Sequence, residues 1–320
     1  MSQLIRAAVA TALSVIAASV LAQSYPTKPL RVFVPAQPGG GFDAVGRAMA
    51  DKMSPQMGQA FIVENRTGAG TVVGTDAAHK APPDGYTILV GSLSNLAFNP
   101  AFYNKLPYDV ADFTLIGIAA SYSYTLAGRK DLPANTLREL IEYGRANPGK
   151  LTYVGAVGTG QQVAAMALFQ QTNVNAVQVP YKSNTAAYPD VIAGRVDLFF
   201  DNTQTIKPYI DQGSMKAFAT SSIGRDPIVP NIPTVNETGV AKLELESWFG
   251  YFVHQKTPPA IVERLRAEFA KAVASPEVVA RLEKAGGRVW CKPFAEQDAL
   301  VRADMQRWSA FIRTTGVRLD

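Results

Sequence analysis

One junction recurs along this chain and constrains its fold more than any other feature. A short apolar run that favours β structure ends, a glycine-rich turn follows, and helically spaced apolar residues begin. The first instance is Leu30-Arg31-Val32-Phe33-Val34, then Pro38-Gly39-Gly40-Gly41-Phe42-Asp43, then Val45, Ala48, Met49 and Met53. Phe61-Ile62-Val63 leads likewise into Gly68-Ala69-Gly70 and a small-residue helix ending near His79. A run over 86–90 leads into Gly91-Ser92-Leu93-Ser94-Asn95, and one over 151–154 into a turn at 155–160 and a helix through Phe169. Further strands are expected at 116–119, 177–179, 196–200 and 215–219, with a helix over 136–146. Strands alternating with helices predict an α/β fold built on a mostly parallel sheet with helices on both faces. With 320 residues, 47% apolar and only 18% charged, the chain can bury a sizeable core and is not disordered.

The two ends read differently. Arg6 precedes an apolar, alanine-rich stretch from Ala7 to Ala22, ending Val20-Leu21-Ala22 before Gln23. One positive charge, a short apolar core and small residues at its end describe a secretory signal peptide over residues 1–22. The stretch is short for a membrane span, and no second one is long enough. In the last third, Thr257-Pro258-Pro259 and Ser275-Pro276 each start a helix, and a third helix carries Leu300, Met305, Trp308, Phe311 and Ile312 as a packing stripe. The chain is expected to cross between two domains near residues 120–124 and again near 243–249.

Composition removes several function classes. The net charge of +5 is spread without runs, and no Lys/Arg cluster alternates with aromatics, which argues against nucleic acid. A single cysteine, Cys291, forms no internal disulfide. The two histidines, His79 and His254, lie far apart in sequence, with no cysteine or carboxylate cluster at metal spacing; metal-centre and Ser-His-Asp readings therefore have little footing. Gly39-Gly40-Gly41 with Glu64 downstream imitates a dinucleotide motif, but Ala44 stands where its third glycine belongs, and Gly158-Thr159-Gly160 meets Val163 instead. No Gly-Lys-Ser/Thr is present for a phosphate loop, and no cofactor is expected. Asp43 could act as a general base, though an N-cap role suits its position better.

The glycine turns carry their own chemistry. Each presents unpaired backbone N–H groups at the positive end of a helix dipole, and such an end suits an anion. In an open α/β sheet these turns gather at the carboxyl ends of the strands, where ligands bind. Several in one chain favour a shared anion-binding cleft.

Short motifs spread in order along the chain add a resemblance. They are Tyr25-Pro26-Thr27-Lys28-Pro29-Leu30-Arg31, Val63-Glu64-Asn65-Arg66, Pro83-Asp84-Gly85-Tyr86-Thr87, Val179-Pro180-Tyr181-Lys182, Gly194-Arg195-Val196-Asp197, Pro233-Thr234 and Trp248-Phe249-Gly250. With the Gly39-Gly40-Gly41 turn, they resemble the tripartite tricarboxylate transporter substrate-binding proteins, the Bug receptors. The resemblance implies a two-lobed periplasmic binding protein of the class II-like, Venus flytrap type, each lobe a mostly parallel sheet flanked by helices. Lobe I would comprise residues 23–122 plus 247–320, and lobe II residues 123–246. Such a protein is a monomer, is not an enzyme, and closes on a small carboxylate that it delivers to a membrane permease.

The resemblance also implies that opposing turns grip the ligand through backbone amides and ordered water. Gly40, Gly41, Phe42 and Asp43 would contribute from one lobe, and Thr159, Gly160, Gln161, Gln162 and Val163 from the other. Ser92 and Asn95 would assist from the third turn, with Tyr181, Asn184 and Asn202 as further second-lobe contacts. The chain departs from the family pattern at two positions: Phe42 replaces a small residue and Val163 a histidine. These changes point to an aromatic carboxylate such as terephthalate, with Phe42 against the ring. The alternatives are an exported enzyme using Asp43 or His254 on a small acid, and a receptor that passes its ligand to a signalling partner.

Overall fold

The computed structural model describes residues 25–156, 158–181 and 184–319; the expected signal peptide lies outside the described residues. Eleven strands among them form two sheets. In chain order they are β1 (Leu30–Val34), β2 (Phe61–Asn65), β3 (Thr87–Ser92), β4 (Phe113–Tyr122), β5 (Tyr124–Arg129), β6 (Thr152–Ala156), β7 (Val177–Tyr181), β8 (Leu198–Asn202), β9 (Met215–Thr220), β10 (Ser247–His254) and β11 (Arg288–Val289). Six strands in the order β11-β4-β10-β3-β1-β2 make the sheet of lobe I, and five in the order β7-β6-β8-β5-β9 make that of lobe II.

The helices fall where glycine, proline and capping residues punctuate the apolar periodicity. They are α1 (Gly41–Met57), α2 (Val72–His79), α3 (Asn99–Phe102), α4 (Leu137–Ala146), α5 (Gly160–Thr172), α6 (Tyr188–Ile192), α7 (Thr203–Asp211), α8 (Pro259–Val273), α9 (Pro276–Lys284) and α10 (Phe294–Thr315). Thr136 caps α4 by accepting from the Glu139 amide, and Pro259 and Pro276 open their helices at positions whose N–H groups have no helical partner anyway. Ile261, Val262, Leu265 and Phe269 of α8 are buried as one stripe. No helix among the described residues is long and apolar enough to cross a membrane.

The sheets are mixed, which corrects the expectation of mostly parallel ones. β1 pairs in parallel with β2 and β3, and β6 with β7 and β8. β10 instead runs antiparallel to β3 and β4, β11 to β4, and β5 to β8 and β9. The cause is the exchange of chain between lobes. A parallel neighbour needs a crossover connection, usually a helix, within its own sheet, whereas β5 and β10 each enter their sheet from a strand of the other one, β5 from β4 after Ser123 alone and β10 after β9. The strand-helix alternation that suggested parallel pairing is interrupted at that exchange.

β10 is buried along nearly its whole length, with Trp248 and Tyr251 among the largest fully enclosed side chains. Burial of a side chain of this kind contributes roughly 1.5–3 kcal/mol, so the returning strand is a principal anchor of lobe I. The carboxyl-terminal segment closes over the same lobe: the Ser309 hydroxyl donates to the Ala97 carbonyl and the Leu319 amide to that of Phe102.

Candidate functional site

In lobe I the chain leaves β1 and turns through Gly39, whose φ of 97° is costly for any residue with a Cβ. Gly40 is the N-cap of α1 and has no side chain to cap with, so the helix begins without a side-chain cap. The first helical bond, from Ala44 to the Gly40 carbonyl, leaves the amides of Gly41 and Phe42 beyond the reach of the helix's own carbonyls. Asp43 is the third residue of α1, not its N-cap as the sequence suggested. The helix starts earlier because the glycines can enter the turn and the helix directly.

Asp43 holds the turn in place. Its carboxylate accepts from the Gly39 amide at 3.2 Å, the Arg47 guanidinium at 3.0 Å and the Asn65 amide at 3.0 Å. Burial alone would raise its pKa; the hydrogen bonds from Arg47, Asn65 and Gly39 outweigh burial and hold it below the usual carboxylate range. Both oxygens are engaged and the pKa is lowered, so Asp43 is a weaker base than a free carboxylate.

Next to this turn stands the returning strand. A Cβ on Gly41 would come within 2.9 Å of the Phe249 ring. That ring meets Phe42 edge to face at 4.9 Å between centroids and Tyr122 at 5.4 Å. Phe42 is buried against Phe249. Phe249 also pairs with Ser92 across the sheet, and the hydroxyls of Ser92 and Ser247 lie 3.2 Å apart. Asn95 is wholly buried: it accepts from the Ser92 amide and donates to the Thr75 hydroxyl, which in turn donates to the Thr71 carbonyl. Its side chain therefore ties two glycine turns together from beneath.

In lobe II, Gly158 donates its amide to the Gln162 side chain, and the Thr159 hydroxyl caps α5 by accepting from the Gln162 amide. Gln162 is buried and also bonds Gln178. Val163 is fully enclosed in the core. Gly160 sits against the Tyr124 hydroxyl so closely that a Cβ would fall 2.3 Å from it. Tyr124 is hydrogen-bonded to Ser247, and burial raises its pKa. A continuous line of contacts thus runs from Gly41 through Phe249, Ser92, Ser247 and Tyr124 to Gly160. The two helix starts, one from each lobe, meet at the strands that exchange the chain.

The remaining expected residues converge on a group that sequence reasoning missed, Asp201. This buried carboxylate accepts from Gln161 at 3.4 Å, Asn184 at 3.2 Å, the Asn202 amide at 2.8 Å and the Tyr188 hydroxyl at 2.7 Å. Burial raises its pKa; those four hydrogen bonds oppose the rise without reversing it. Tyr181 instead gives its hydroxyl to Asp190, and burial together with that bond pushes its pKa up to about 12. Asn99 was also missed. Its amide nitrogen holds Gly70 and Thr71, while its carbonyl oxygen, buried without a hydrogen-bond partner, is 3.9 Å from where a Cβ on Gly158 would lie. The signal available for both was position: each lies at the end of an apolar run, Asp201 next to Asn202 and Asn99 four residues after Asn95.

A separate hollow of 380 Å³ flanks the exchange strands, lined in part by Asp226, Glu246, Glu283, Arg225 and Arg288. There Glu246 pairs with Arg288 and accepts from Ser121, and Asp226 accepts from Ser123. Its three carboxylates outnumber its two guanidiniums, which disfavours an anion there. The histidines require a correction as well. Far apart in sequence, His79 and His254 stack with ring centroids 6.0 Å apart, and Asp112 lies 2.8 Å from the His79 Nε2.

Comparison with known proteins gives one answer. A sequence model described as tripartite tricarboxylate transporter family receptor matches residues 45–317. A protein from the tcbD-tcbE intergenic region of Pseudomonas sp. strain P51 is 35% identical over 90% of this chain and 87% of its own length. Among solved structures, the periplasmic binding protein BugD superposes with a TM-score of 0.77 at 31% identity, over 92% of this chain and 99% of BugD. An R. palustris protein solved with adipate gives a TM-score of 0.81 at 30% identity, over 92% of this chain and 99% of that one.

Proposed function

This chain belongs to the tripartite tricarboxylate transporter receptor family, and from that premise we propose that it is a periplasmic receptor that captures a small dicarboxylate between its lobes and hands it to a membrane permease. One observation carries the reading: the uncapped start of α1 and the start of α5 approach the same exchange strands from opposite lobes. Backbone N–H groups and the two helix dipoles can hold a carboxylate without the desolvation cost of a buried lysine. The adipate bound by a structural relative supports the ligand class. Contacts made to the ligand by both lobes favour a closed form, which is how capture becomes a signal to the permease.

In this reading Gly40, Gly41 and Phe42 supply amides from lobe I, and Thr159, Gly160 and Gln161 supply theirs from lobe II. Ser92 lines the floor. Asp43, Asn95, Gln162 and Asp201 position those amides and do not touch the ligand. Asn184 and Asn202 act through Asp201, while Val163 and Tyr181 shape the second lobe from behind. Lobe I is taken as residues 23–122 plus 247–320 and lobe II as residues 123–246. The protein works as a monomer, with residues 1–22 removed on export.

A narrower reading makes the ligand aromatic, terephthalate for example. The three rings of Phe42, Phe249 and Tyr122 beside the α1 start favour it. Burial of both Phe42 and Phe249 means that a ring ligand would meet only the rim of this aromatic cluster, not a free aromatic face.

A thermal-shift screen of residues 23–320 against adipate, malate, terephthalate, benzoate and the neutral diamide of adipic acid tests both readings. A ligand at a hundred times its dissociation constant adds roughly 2.7 kcal/mol. Shifts with dicarboxylates and none with the diamide are expected. Shifts with the aromatic acids alone, reduced in Phe42→Thr, would establish the narrower reading. Silence from every acid, or conversion of one of them into a product, would instead favour an exported enzyme.

A further inference from the structure

Outside the cleft, three metal-competent side chains from three separate elements come together on lobe I. His79 is the last residue of α2, His254 is the last of β10, and Asp112 belongs to a short 3-10 turn, Val110–Asp112, that leads into β4. One donor atom from each lies within 4.8 Å of the other two. All three are partly exposed, so a cation can reach them. We propose that His79, Asp112 and His254 bind a first-row transition dication of the Zn²⁺ type.

The donor chemistry selects the ion class. Two imidazoles and one carboxylate suit Zn²⁺, Ni²⁺ or Cu²⁺ and suit Mg²⁺ or Ca²⁺ poorly, since those prefer oxygen alone. A tetrahedral zinc with bonds of about 2.0–2.1 Å separates its donors by roughly 3.3 Å. His79 and Asp112 already stand at 2.8 Å, and a His254 donor lies within 4.8 Å of both, so a side-chain rotation of at most about 1.5 Å brings it into the same sphere.

The surroundings fit as well. The His79 Nε2 is the nitrogen that faces Asp112, so it is the donor this histidine presents to a shared ion. Gln255 donates both its amides to Asp112, one to the side chain and one to the backbone, and so fixes the carboxylate as an outer partner commonly does in metal sites. The Lys256 amide now donates to the His254 Nδ1, and its exposure lets water replace that bond when the imidazole turns to a cation. A hollow of 510 Å³ opens onto His79 and Asp112 and leaves room for the water that completes the shell.

The bound ion would fasten the end of α2 to the end of β10. The other end of α2 follows the Gly68-Ala69-Gly70-Thr71 turn; eight residues, or about 12 Å, separate the two. The site is therefore a distinct one on lobe I.

Isothermal titration of tag-free residues 23–320 with ZnCl₂, and with MgCl₂ as control, tests this directly. One saturable zinc per chain is expected, with a rise in Tm and no response to magnesium. His79→Gln and His254→Gln should each weaken zinc at least tenfold, and Asp112→Asn about tenfold, while the dicarboxylate thermal shift is retained. Titration of the unmodified protein with Co²⁺ gives a second readout that needs no variant: ligand-field absorption bands at one equivalent, lost on adding zinc. Absence of saturable zinc binding at millimolar metal, absence of the cobalt bands, or unchanged zinc binding in both histidine variants would each overturn the proposal.

Discussion

The two glycine turns that start α1 in lobe I and α5 in lobe II are built on opposite plans. That of lobe I is open: its N-cap is glycine, no side chain satisfies the first amides, and Gly40 is exposed with nothing within 4 Å of its would-be Cβ. That of lobe II is closed: Thr159 caps the helix, Gln162 folds back on Gly158, and Gly160 is pressed against Tyr124. The carboxylates beneath them differ in the same way. Asp43 is held ionised by a guanidinium and amides, whereas Asp201 is buried among neutral donors. The contrast teaches a division of labour. Lobe I leaves hydrogen-bonding capacity unused for a ligand, and lobe II spends most of its own capacity on staying rigid.

The sharpest way to break this comparison is at Asp201. Asp201→Ala strips an acceptor from Gln161, Asn184, Tyr188 and the Asn202 amide, and should cost about 3 kcal/mol in chemical denaturation, the upper end for buried groups left unsatisfied. Gly160→Ala comes next, at about 2 kcal/mol, because the new methyl collides with the Tyr124 hydroxyl; the matching Gly40→Ala should stay within about 0.5 kcal/mol. Thr159→Ala should cost about 1 kcal/mol through the lost cap. The smallest stability effect is the most informative about function. Gly40→Ser supplies the cap that α1 lacks, so it should gain a few tenths of a kcal/mol while weakening carboxylate binding in calorimetry. Equal loss of stability from Gly40→Ala and Gly160→Ala would erase the distinction between the turns.

Acidification separates the two carboxylates by sign. The folded pKa of Asp201 lies above that of the unfolded chain, so its contribution is most favourable below about pH 3.9 and declines as pH rises to the folded value. The folded pKa of Asp43 lies below, so it contributes fully above about pH 3.9 and loses that contribution as pH falls through the folded value. A pH series of denaturation midpoints should therefore show Asp201→Asn removing a decline on the upper side of that point, and Asp43→Asn removing a loss on the lower side.

Much of the architecture was legible because local signals agreed with tertiary context. β1 was read at its observed bounds, and Pro259 and Pro276 started their helices where the proline rule puts them. The antiparallel strands were harder. β5 has no preceding helix and is buried on both faces, so neither alternation nor turn grammar marks its direction. The site divided in the same fashion. Glycine turns announce themselves in sequence, whereas Asp201, Asn99 and Tyr124 act through partners that only the fold supplies. The pairing of His79 with His254, 175 positions apart, is of that kind too, since it arises where the end of a helix meets the end of a strand from the other side of the chain.

The central claim is that amides from both helix starts hold one carboxylate ligand. The most direct test is an amide NMR titration of isotopically labelled residues 23–320 with the dicarboxylate that gives the largest thermal shift. The account predicts that the amide signals of Gly41, Phe42, Gly160 and Gln161 move together, with one shared dissociation constant, and that Gly40→Ser weakens all four responses at once. Saturable binding of that acid with these four signals unmoved, or with movement confined to one lobe, would contradict it.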